Sequence, residues 1–143
     1  MGEFRFLEHP SDVYVEARGS DLKEALSEAG RALFAVIVRN FNDVRPLSSR
    51  DVSASGYDEL SLLYDWLERL LLLFELEQFV ASRIDVDGIT RSTDSLNVTA
   101  RVYGETFDRA RHVPGVYVKS PTYWLMEVVE RDNETYLRYV LDI

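Results

Sequence analysis

The chain has 143 residues, 46% hydrophobic and 29% charged, which is enough for one globular core and excludes an intrinsically disordered protein. Sixteen basic against 25 acidic side chains leave a net charge of −9, so a broad surface for a nucleic-acid backbone is excluded and a basic protein partner is favoured. With no cysteine there is no disulfide framework, thiolate metal site or cysteine nucleophile.

Phe4 and Phe6 alternate with Glu3 and Arg5, the pattern of a short strand with one buried face. After the interruption at His9-Pro10-Ser11-Asp12, the alternation of Val13, Val15 and Ala17 predicts a second strand. Ser20 is the expected N-cap of an amphipathic helix from about Asp21 to Val38, striped by Leu22, Leu26, Ala29, Leu33 and Val36. Residues 40–57 read as irregular, with a short strand around Val52. A second helix opens at Asp58, with an inner stripe of Leu60, Leu63, Trp66, Leu67, Leu70, Leu71 and Phe74. Because Leu62, Leu72, Leu73 and Leu76 lie off that stripe, this helix reads either as a central core element or as a partner-binding face.

The remainder is strand-like. Ile84 and Val86 lead into Asp87-Gly88, a turn signal, and Leu96, Val98, Ala100 and Val102 alternate cleanly with polar neighbours. Residues 104–115 read as a loop, and residues 125–130 and 135–141 as a closing hairpin. Strands, two helices and then several strands, without regular alternation, predict an α+β fold. We expect a single domain over 1–143, with the two helices packed on a mixed or antiparallel sheet. The first residues do not form an export signal and no apolar run reaches the roughly 20 residues of a membrane span. A cytoplasmic protein is therefore expected, and the sequons at Asn97 and Asn133 read as coincidence.

Glycine-rich phosphate loops, nucleophile elbows and His-Glu-x-x-His are absent from the sequence. The two histidines, His9 and His112, match no zinc-ligand spacing. What stands out is the placement of carboxylates: Asp12 before a strand, Asp142 directly after an apolar strand, and the carboxylate of Ile143. Such all-oxygen donors suit a hard cation, Ca²⁺ or Mg²⁺, although from spacing alone the signal is weak, since a terminal aspartate is usually just solvated. Lysine occurs only at Lys23 and Lys119 against 14 arginines, which marks Lys119 as a place where a compact ammonium is wanted.

Six segments in register resemble one family. They are Phe6-x-x-His9-x-x-Asp12, Gly19-Ser20-Asp21-Leu22-x-Glu24-Ala25, Leu62-Leu63-x-x-Trp66-Leu67 with Leu73-Phe74, Gly104-Glu105-x-x-Asp108-x-x-x-His112, Lys119-x-x-Thr122-Tyr123 and Leu141-Asp142-Ile143. Across the whole chain the sequence resembles the archeases. Pro10 and Trp124 depart from the pattern, standing where a hydroxyl residue and a histidine are usual. The resemblance implies an archease-like fold and no turnover of its own. It implies an accessory role in tRNA splicing, as transient activator of the RNA ligase RtcB. The expected effects are faster guanylylation of the ligase histidine, multiple turnover and broader nucleotide use, without direct RNA binding. It further implies a divalent-cation site (Ca²⁺, or Mg²⁺ or Mn²⁺) on Asp12, Asp142 and the Ile143 carboxylate, with His9 and Lys119 as neighbours. The alternative from the residues alone is a small metal-dependent hydrolase of phosphoesters or nucleotides.

Overall fold

The computed structural model describes residues 2–8 and 11–143. Seven strands and two helices occur in the order β1 (Glu3–Leu7), β2 (Val13–Gly19), α1 (Leu22–Ile37), β3 (Ser48–Gly56), α2 (Glu59–Glu77), β4 (Phe79–Arg91), β5 (Leu96–Thr106), β6 (Ser120–Glu130) and β7 (Thr135–Asp142). They form two antiparallel sheets, one ordered β1-β2-β7-β6 and the other β3-β5-β4. Both helices touch both sheets, α1 through β2 and β4 and α2 through β3 and β6. The expected α+β arrangement of two helices on antiparallel sheet is therefore what the chain adopts.

Local chemistry sets the helix ends. Asp21, one residue after the expected Ser20, caps α1 by accepting from the Glu24 N–H at 2.9 Å, while the Glu24 carboxylate accepts from the Ser20 N–H at 3.0 Å. Asp58 and Ser61 form a reciprocal capping box at the start of α2. Leu62 is buried together with the stripe from Leu63 to Leu71, because α2 is covered on more than one side; Leu72 and Leu76 stay exposed at its far end. Two buried donors lock α1 in place: the Trp66 indole N–H donates to the Leu26 carbonyl at 2.9 Å and the Tyr139 hydroxyl to the Ala29 carbonyl at 2.7 Å.

Three expectations about the strands are corrected. The short strand expected around Val52 extends over the nine residues 48–56, because polar outer positions hide the ends of a strand that pairs with β5 and packs against α2. Asp87-Gly88 is no turn: β4 continues to Arg91 and absorbs the signal as a shift in register between Val86 and Gly88. The region 104–115 is strand as far as Thr106.

The end of α1 anchors the segment that leads into β6. Its last carbonyls have no partner within the helix. The Val36 and Ile37 carbonyls accept instead from the N–H groups of Val116 and Gly115, at 2.9 and 2.8 Å. A Cβ at position 115 would collide with the Val36 carbonyl, so only glycine permits this approach. The segment is braced behind by Glu105, which accepts from the Arg45 N–H, Arg111 and His112. The Asp108 N–H donates to His112 Nδ1, so Nε2 carries the ring proton and donates a hydrogen bond to the Glu105 carboxylate at 3.0 Å. The fully buried His112 is thus a structural clamp, and segment 113–118 is laid across α1 to deliver Lys119 to the edge of the first sheet.

Candidate functional site

Strand register decides which predicted residues meet. Val13 of β2 faces Leu141 of β7, so Asp12 and Asp142 each stand one residue beyond the same pair. Ser120 of β6 faces Asp142 on its other side, and the Lys119 N–H donates to the Asp142 carbonyl at 2.8 Å. Asp12, Lys119, Asp142 and Ile143, scattered over 132 positions of sequence, therefore share one end of one sheet. Both aspartates and Ile143 are half-buried and Lys119 is exposed. His9, the remaining predicted neighbour, lies outside the described residues.

The donor set is hard oxygen throughout. Among the described residues no group of three His, Cys, Asp or Glu side chains forms a metal cage, so the two aspartates need a further donor such as the Ile143 carboxylate. The carboxylates fit the oxygen chemistry of Ca²⁺ or Mg²⁺, and with no sulfur in the set they do not fit a soft metal. Beside Asp12 opens a shallow cavity of about 350 Å³, with Phe6, Tyr14, Val116 and Arg39 among its lining residues. Arg39 went unnoticed in the sequence, where one arginine among 14 carries no signal.

A second feature invisible to periodicity adjoins this end. Thr122 faces Val140 and Glu127 faces Arg138, so four residues of β6, Tyr123 to Met126, occupy the place opposite the single Tyr139. The resulting bulge turns at Leu125, whose φ of 57° is a left-handed conformation costing a leucine about 1 kcal/mol.

Residues 4–143 match the archease protein family (MTH1598/TM1083). The chain belongs to the archease family. Curated relatives named archease include those of Sulfurisphaera tokodaii, 34% identical over the full length of both chains, and Pyrobaculum islandicum, 33% identical over 99% of this chain and 95% of that one. Among solved structures, protein 1598 of Methanobacterium thermoautotrophicum superposes with a TM-score of 0.81 at 30% identity, covering 98% of each chain. A Thermotoga maritima archease described as a possible chaperone shares the fold, with a TM-score of 0.58 at 18% identity over 96% of this chain and 94% of that one. No helix among this chain's described residues is long and apolar enough to cross a membrane.

Proposed function

We propose that this archease activates an RNA ligase of the RtcB type and catalyses no reaction by itself. The observation that carries the reading is the gathering of Asp12, Asp142, the Ile143 carboxylate and Lys119 at one end of a sheet in a chain with net charge −9. The groove in which a ligase holds RNA is basic, so an acidic protein is drawn to it electrostatically. The same charge repels RNA itself. A divalent cation held by Asp12, Asp142 and Ile143 would add positive charge able to stabilise a triphosphate as pyrophosphate leaves. Guanylylation of the ligase by GTP should therefore accelerate in the absence of any RNA, and the acceleration should fade as ionic strength rises. The measurement is the rate of labelled GMP transfer to the ligase with and without this protein. A rate unchanged by its addition rejects the activator reading. Phosphatase or nucleotidase turnover by the isolated protein would replace it with the hydrolase reading.

Lys119 supplies the cation of the cluster. Its backbone is fixed by the Asp142 carbonyl, so a substitution changes the head group without moving the chain. Lys119→Arg keeps the charge but exchanges a compact ammonium for a planar fork, and it should lower multiple-turnover ligation about tenfold, with Lys119→Ala lower still. Full turnover by both variants would show Lys119 to be an ordinary surface lysine.

A further inference from the structure

We infer that the β6 bulge, Tyr123-Trp124-Leu125, is a docking anchor for a basic protein surface, namely the flank of the ligase groove. The inference rests on the activator reading for the identity of that partner. The four-for-one bulge lies on the open edge of the first sheet. Natural edges are protected by charged residues, prolines, short strands or bulges, and β6 carries both Pro121 and the bulge. The inserted residues are nevertheless large and apolar, with Trp124 63% exposed and Tyr123 and Leu125 exposed beside it. Edge protection accounts for a bulge but does not call for large apolar side chains on it.

The bulge is also held rigid. The Tyr123 ring stacks on Tyr64 of α2, with centroids 4.5 Å apart and planes 13° from parallel. Leu125 fixes the turn at its positive φ. Tyr57, 77% exposed ahead of α2, extends the aromatic patch. An exposed tryptophan next to a tyrosine stacked in place has the composition of an interface hot spot, and the stacked ring loses little freedom on binding.

Charge selects the occupant. Met126, the last inserted residue, leads into an open groove between the start of α2 and β6, lined by Asp58, Glu59, Glu127 and Glu130. Arg91 bridges Glu59 and Glu130. Arg138 reaches Glu127 only at 3.9 Å, being held mainly by Glu16. The surplus of carboxylates repels RNA, although the aromatic rings would otherwise suit stacked bases. A second copy would bring the same acidic groove against itself. A surface bearing arginine or lysine around an apolar pocket satisfies both halves of the patch.

Position links the anchor to the carboxylate cluster. The bulge starts one residue after Thr122, itself two residues, about 7 Å, along β6 from the Ser120–Asp142 row. A partner seated on Trp124 is therefore within reach of the Asp12–Asp142 end.

The test uses the full-length protein and the full-length RtcB ligase of the same organism, with affinity read by calorimetry and activation by RNA-free guanylylation. Trp124→Ala should weaken affinity about 10- to 100-fold yet reach the wild-type guanylylation rate at saturation, and Trp124→Phe should recover most of the affinity. Asp142→Ala should do the reverse, keeping affinity and losing the saturating rate. Since Trp124 is exposed, its variants should melt like wild type. Wild-type activation together with unchanged affinity of Trp124→Ala overturns the anchor and leaves the activator reading standing. Binding that depends on Trp124 but does not accelerate guanylylation supports the anchor and rejects the activator reading. Absence of binding to the ligase rejects both. Trp124-dependent dimerisation in sedimentation, or Trp124-dependent affinity for a single-stranded RNA oligonucleotide, assigns the patch to another occupant and overturns the inference.

Discussion

Asp142→Ala should reduce ligase activation at least about 100-fold while leaving the fold in place, the scale expected when a metal ligand itself is removed. The two halves of that expectation rest on different atoms. What β6 takes from Asp142 is its backbone carbonyl, which accepts from the Lys119 N–H, and an alanine keeps that carbonyl. No hydrogen bond or ion pair holds the Asp142 side chain among the described residues, so its loss should shift the melting temperature by only a few degrees. Activation, in contrast, should be lost with the carboxylate of Asp142, which stands opposite Asp12 at the end of the sheet. Asp142→Asn separates charge from shape: it should fail as the alanine does, because an amide is a far weaker ligand for a hard cation. Calcium titration provides a readout independent of the ligase. The wild-type melting temperature should rise with calcium, since a cation bound only to the folded state stabilises it, and that of Asp142→Ala should not. Full activation by the alanine variant would remove the aspartate pair from the mechanism.

Apolar periodicity identified the two helices and most of the strands because most of their stripe positions are buried; Leu26, Leu33, Leu63 and Leu70 are all inaccessible to solvent, whereas Phe6 of β1 and Leu60 of α2, expected inside, are exposed. It failed where pairing partners override local sequence. Asp87-Gly88 has the composition of a turn, yet β5 runs alongside and holds β4 extended past it. The motif Gly104-Glu105-x-x-Asp108-x-x-x-His112 was legible as a family signature but not as to its purpose, which is a buried carboxylate–histidine clamp joining two loops. Asp12, Asp142, Ile143 and Lys119 were legible singly, from the placement of carboxylates and the scarcity of lysine, and the resemblance joined them into one candidate site. Its coherence depends on the pairing of β2, β7 and β6, a long-range register that no local pattern encodes. The bulge at Tyr123 to Met126 was the least legible part, since an insertion is defined only against its partner strand.

Acid should unfold the protein through a narrow window set by two carboxylates. Glu16, on the face of the first sheet away from α1, has no solvent exposure. Burial alone would raise its pKa, but Arg5, Arg138 and Arg18 donate to it and hold it at about 2. Glu105 is also buried, and the Arg45 N–H, the Arg111 and Arg45 guanidiniums and His112 bring its pKa to about 2. In the unfolded chain both should titrate near the ordinary 4.5. Between those values the unfolded state binds more protons than the folded one, so stability falls as pH falls. The contribution is complete above about pH 5 and gone once pH drops below about 2, amounting to at most about 3 kcal/mol for each group. Urea unfolding measured from pH 7 to pH 2 should show this as an acid limb with a slope of up to two protons. Glu16→Gln should remove one proton from that slope. It should also cost about 3 kcal/mol at pH 7, because three guanidiniums are left around a neutral amide. Glu105→Gln should remove the other proton, and the two effects should add, since the residues lie in different sheets with no shared partner. An acid limb unchanged in Glu16→Gln would mean that the three arginines do not hold that carboxylate ionised, and that the acid sensitivity arises elsewhere.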